Sequence, residues 1–179
     1  MGELLSSFSE ASKGRSTSRM FRGPPPSSLI NPLDPMIAPK FEQLPDDAEW
    51  WGDPAFRVAE GRPPIQLVAV TDGDPPDSRY AANIVRYLID VDALILRASV
   101  LILDNYSYQH FRELGVAESS LVKEETPEAI AQAVTLQSVW FFDSDCESAE
   151  LSFSVPWDDQ HLFSVEFDSG EATCCSVNG

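Results

Sequence analysis

The sequence predicts an α+β domain: an N-terminal hairpin, two to three helices, and a C-terminal four-stranded antiparallel meander. Three observations carry that prediction. Short apolar runs flank a Gly-Arg-Pro-Pro turn within residues 55–71. From Ala81 to Ile102 the apolar residues recur at helical spacing. After Ala133 the period drops to two and stays there.

The first 40 residues read as an extension. Ser, Arg and Lys dominate 6–22, and in the "RGPPPSSLINPLDPMIAPK" that follows the prolines remove backbone donors and block helix. Extended or disordered chain is expected there, with the domain spanning 41–179. In the domain, "AFRVAEG" (55–61) and "IQLVAVT" (65–71) are expected to pair as a hairpin. "DGDPPDS" is a turn that ends in Asp77 or Ser78 as a helix cap. Two helices follow, near 78–89 and 92–113, with Gly115 ending the second. Thr126-Pro127 opens a third, short one.

The runs "LQSVWFF", "AELSFSV", "LFSVEFD" and "EATCCSV" are strands joined by short links, which favours an antiparallel meander. Ser169-Gly170 fits a two-residue hairpin turn, and such a turn fixes register. It sets Asp168 opposite Glu171, Phe167 opposite Ala172 and Val165 opposite Cys174. Cys174 is then expected on the core face and Cys175 on the other. Three cysteines, two of them adjacent, make no disulfide framework and suit a reducing compartment, so a cytoplasmic location is expected.

Charge is the unusual quantity. The chain has 29 acids and 12 bases, and residues 41–179 hold 26 of the acids and 7 of the bases, a net of −19. Such a surface repels nucleic acid and anionic lipid and draws a basic partner inward.

Candidate chemistry is sparse. Asp72, Asp74 and Asp77 could attract a hard cation, but turns and caps require the same residues. "DSDCES" (143–148) begins like a calcium loop, yet Ser148 stands where the sharp turn needs Gly and Ser154 where a bidentate acid belongs. Asp158, Asp159 and His161 in "PWDDQHLF" are the remaining catalytic or ligand candidates. One His with two adjacent acids falls short of the usual metal set, and the stretch reads as a polar corner between strands behind a packed Trp157. His110, in "NYSYQHF", is the other histidine. No metal or cofactor is implied.

"VAVTDGDPPDSRYAANIVRYLIDVDALILRASVLILDNYSY", "LQSVWFF" and "AELSFSVPWDDQHLFSVEFDSGE" together resemble a family of uncharacterised bacterial domains. These open with a hairpin, run two helices and end in a meander around a W-D-x-E-H-G-like corner. The resemblance covers about residues 50–179 and matches at Trp157, Asp158 and His161. Gln160 replaces the family's usual Glu, and Leu162 its Gly. It implies an immunity-type interaction role: a non-enzymatic module that masks a basic partner. A hydrolase using Asp158, Asp159 and His161, or a housekeeping domain without a dedicated partner, are the alternatives.

Overall fold

The computed structural model describes residues 39–43, 49–54, 56–58 and 61–178. Apart from Pro39 and Lys40, the expected extension lies outside the described residues. Among these, strands β1 (Phe41–Gln43), β2 (Glu49–Gly52), β3 (Gln66–Val70), β4 (Thr135–Phe141), β5 (Ser148–Val155), β6 (Asp158–Asp168) and β7 (Glu171–Asn178) form one sheet in chain order. Between β3 and β4 run α1 (Ser78–Leu88), α2 (Val91–Leu103), α3 (Tyr108–Glu113), a single helical turn at Glu118–Ser120, and α4 (Pro127–Ala133).

This corrects the predicted architecture. There is no separate hairpin beside a four-stranded meander, but one seven-stranded mixed sheet. β3 pairs with β4 in parallel, and every other neighbouring pair is antiparallel. The helical crossover carries the chain back to the starting end of the sheet, which permits the parallel pairing. The expected strand at 55–61 does not form at the described positions in that range, and β3 instead pairs with β2, Trp51 standing opposite Val68. Leu67, Val68 and Ala69 are all fully buried, so both faces of β3 are covered.

The helix starts have local causes. The Asp77 carboxylate accepts from the Tyr80 amide at 2.7 Å, and Thr126 Oγ1 from the Ala129 amide at 3.2 Å, with Pro127 in the first turn of α4. The expected second helix, 92–113, is two helices. It stops at Leu103 and restarts behind Ser107, whose hydroxyl accepts from the His110 amide.

Helices α1, α2 and α4 bury residues against one face of the sheet, and α3 adds Tyr108 and Phe111 at the margin of the same core. Row by row, Leu67, Val139, Leu151 and Val165 align across β3 to β6, and beside them Ala69, Phe141, Ala149 and Phe167. They enclose a single core with Ile84, Leu88, Ile95, Ala98, Ile102 and Ile130 from the helices. Trp51, Val68 and Trp140, on the opposite face, lie outside that core.

The β6–β7 turn has Ser169 at φ 52° and Gly170 at φ 82°, the pair of left-handed residues that matches strand twist. Asp168 faces Glu171 and Phe167 faces Ala172. Then the register slips. Thr173 forms a bulge, its hydroxyl donating to the Glu166 carbonyl at 3.2 Å, and Cys174 comes opposite Glu166 while Cys175 comes opposite Val165. The expected assignment of the two thiols is therefore reversed. Cys174 is exposed, and Cys175 packs against the core. Burial pushes the Cys175 thiol up to about 11 and the Cys146 thiol up to about 12. A thiol reagent at neutral pH should therefore modify Cys174 well before the other two. Equal labelling of Cys174 and Cys175 would contradict the bulge.

Candidate functional site

The stretch 158–161 is strand rather than corner. The turn is only Pro156-Trp157, and Val155 pairs with Asp158, so the acids and the histidine begin β6. Asp158 and His161 come together: both carboxylate oxygens lie 2.9 Å from His161 Nδ1, and one also accepts from the Gln160 amide at 3.2 Å. Burial raises the Asp158 carboxyl, but the bonds from His161 and Gln160 outweigh it and hold it below its ordinary value. A carboxyl lowered on folding adds stability above the ordinary carboxylate range and loses it as pH falls through the lowered value.

Asp159 and Gln160 are exposed and take no part in that pair beyond the Gln160 amide. The His161 side chain is 43% exposed, and among the described residues no hydroxyl or thiol bonds to its ring. Orientation of an imidazole by a carboxylate is half of a nucleophile-activating arrangement, and the other half is not assembled here. His110 stays on α3, exposed, its ring edge-on to Phe111 at 5.6 Å. Among the described residues no hydrogen bond joins the two histidines.

The acidic loops sit at the carboxyl ends of β3 and β4, around a cavity of about 370 Å³ lined by Thr71, Asp72, Tyr80, Phe142 and Asp143. Three of the carboxylates are occupied locally. Asp143 accepts from the amides of Asp145, Glu147 and Ser148 at 3.0, 3.1 and 2.6 Å, which closes the β4–β5 loop. Asp145 pairs with Arg79 at 3.0 Å, and Asp77 caps α1. Among the described residues no three His, Cys, Asp or Glu side chains gather to hold a metal ion. Zinc or manganese should therefore leave the melting temperature unchanged, and His161→Ala should cost no more than about 1 kcal/mol, the scale of an exposed ion pair. A metal-dependent rise that His161→Ala abolishes would put the hydrolase first.

Two features were missed from sequence. One is a cavity of about 510 Å³ between α2 and α4, with Ile65, Ile95 and Leu136 as floor and the Arg62–Asp92 ion pair at its rim. Its walls come from three distant segments, so no local motif announces it. The other is the face of the sheet opposite the core, the helix-free face, on which no described helix lies. Strand alternation places Glu42, Glu49, Glu150, Glu166, Asp168 and Glu171 on it, together with Trp51 and Trp140. No strand of the sheet contains a Lys or Arg. After Lys123 the chain has twelve acids and no further Lys or Arg. That run was visible in the sequence, but its gathering on one face depends on register.

Among the described residues no helix is long and apolar enough to cross a membrane. Compared with protein-family models, curated proteins and solved structures, the chain matches none.

Proposed function

We propose that this chain is a non-enzymatic acidic interaction module that recognises a basic protein partner, in the manner of an immunity-type protein masking its target. The observation that carries this reading is the one-sided charge: twelve acids and no Lys or Arg follow Lys123, in the part of the chain that forms α4 and β4 to β7. Four of the bases that precede this run are already paired, Arg62 with Asp92, Arg79 with Asp145, and Arg112 and Lys123 both with Glu118. A uniform field of this kind speeds encounter with cations and rejects anionic partners. The resemblance of residues 50–179 to a family of uncharacterised bacterial domains, itself similar to immunity-type proteins, points the same way.

The hydrolase reading has one observation on its side, the 2.9 Å Asp158–His161 pair. The metal and His161→Ala experiment above decides it.

The interaction reading is tested by stopped-flow association of the full chain with a poly-lysine peptide. Steering by the acidic field should make association about tenfold or more faster as salt falls from about 0.15 M to about 0.01 M, where screening is weak. An absence of binding at low salt, or a rate indifferent to salt, would overturn it.

A further inference from the structure

We propose that the helix-free face of the sheet, centred on Trp140, Glu150 and Glu166, is the docking surface for an arginine-bearing basic segment of the partner. The inference rests on the interaction reading and says where and by what chemistry it is carried out. Register sets Trp51, Val68, Trp140, Glu150, Glu166 and Cys174 side by side in one row across β2 to β7. Neighbours in such a row stand about 5 Å apart, close enough for one ligand group to touch two of them.

Glu150 and Glu166 are directly opposite each other. Like charges in that relation destabilise a sheet, and no base in any strand offsets them. Among the described residues, Glu150 has only the Ser152 hydroxyl as a hydrogen-bond donor, at 3.3 Å. A cation laid between the two carboxylates removes the repulsion, so the row is built to gain from a basic ligand.

The indoles select the kind of cation. Trp51 and Trp140 meet edge to face at 6.2 Å, are half-buried, and contribute nothing to the core. Trp140 is the cross-strand neighbour of Glu150. A guanidinium can stack flat on an indole while its N–H fork reaches a carboxylate, whereas an ammonium is a compact, strongly hydrated charge. Alongside runs a second row, Ser138, Ser152, Ser164 and Ser176, with Ser152 and Ser164 hydroxyls 3.1 Å apart and only 5% and 3% exposed.

Other occupants fit less well. Nucleic acid and anionic lipid would meet six carboxylates. A second copy of the chain placed symmetrically on this face would set carboxylate against carboxylate.

The test uses the full chain and two peptides of equal length, poly-arginine and poly-lysine, titrated at low salt by calorimetry. The double variant Glu150→Gln/Glu166→Gln is compared with Glu124→Gln/Glu128→Gln, which removes the same charge away from the face. The first should lose about tenfold or more in poly-arginine affinity, as close charge pairs do. The second should lose less than about threefold, as dispersed surface charges do. The wild-type preference for poly-arginine over poly-lysine should vanish in Trp140→Leu, with folding checked by its melting curve. If that variant fails to fold, the two glutamate pairs still decide. Equal losses in the two double variants would overturn this docking surface and leave the interaction reading standing. No binding of either peptide to the wild type would overturn that reading itself. A dimer in sedimentation that dissociates on adding poly-arginine would assign the face to a second copy and overturn the proposed occupant.

Discussion

Phe167→Ala should destabilise the domain by about 3–5 kcal/mol, the scale for deleting a buried aromatic side chain. Phe167 is 2% exposed and belongs to the core. Its cross-strand neighbours are Ala149 on one side and Ala172 on the other. Neither methyl can swell into the space the ring leaves, so the hole persists and its cost adds to the lost burial. One residue away, Glu166 is exposed on the opposite face, and Glu166→Ala should stay within about 0.5 kcal/mol. Chemical denaturation of both variants checks the pair. A larger loss from Glu166→Ala than from Phe167→Ala would place β6 one residue out of register.

Trp157→Ala should cost a similar amount, about 3–5 kcal/mol, for a different reason. Trp157 closes the β5–β6 turn and is 3% exposed. Its ring lies 4.5 Å from that of Tyr106, 6.3 Å from Phe163 and 6.4 Å from Phe111, so it joins the end of the sheet to α3 and the segment before it. Tyr106 is fixed in turn by Val122, whose carbonyl accepts from the Tyr106 hydroxyl at 2.9 Å and whose amide donates to it at 2.8 Å. Removing the indole therefore loosens a region larger than the turn. Among the described residues the buried indole N–H finds no hydrogen-bond partner, so Trp157→Phe keeps most of the packing and loses no bond there. That variant should cost clearly less than Trp157→Ala, because the phenyl ring fills most of the space the indole leaves. Equal losses for Phe and Ala would contradict the packing role.

Local signals were legible in the chain and long-range ones were not. Asp77 and Thr126 announce helices because a cap is a contact over three residues, and Ser169-Gly170 announces a turn because both residues take left-handed backbone. The sheet partners of β3 carry no such local mark. "LVAV" is an unbroken apolar run, the pattern of a strand covered on both faces, and this argued for neighbours on either side rather than for an isolated hairpin. The bulge at Thr173 was equally silent, since a hairpin turn fixes register only until an extra residue intervenes. It exchanged the expected places of Cys174 and Cys175.

The site shows the same division. Asp158 and His161 could be singled out as residue types, and three-residue spacing let them meet within β6. Glu150 and Glu166 attracted no notice, because each is an ordinary acid until pairing sets them opposite. Trp51 and Trp140 are 89 positions apart by residue number, and only the parallel β3–β4 pairing brings their rings to 6.2 Å.

The most direct measurement of the docking account is a nuclear magnetic resonance titration of the isotope-labelled full chain with poly-arginine, read at the indole N–H signals. The chain has four tryptophans, Trp50, Trp51, Trp140 and Trp157. Trp51 and Trp140 stand on the helix-free face, while Trp50 packs against the core and Trp157 belongs to it. The account predicts that the signals of Trp51 and Trp140 move as peptide is added and that those of Trp50 and Trp157 hold still. Movement of Trp157 with Trp51 and Trp140 unchanged would place the ligand at the β5–β6 turn and contradict the account.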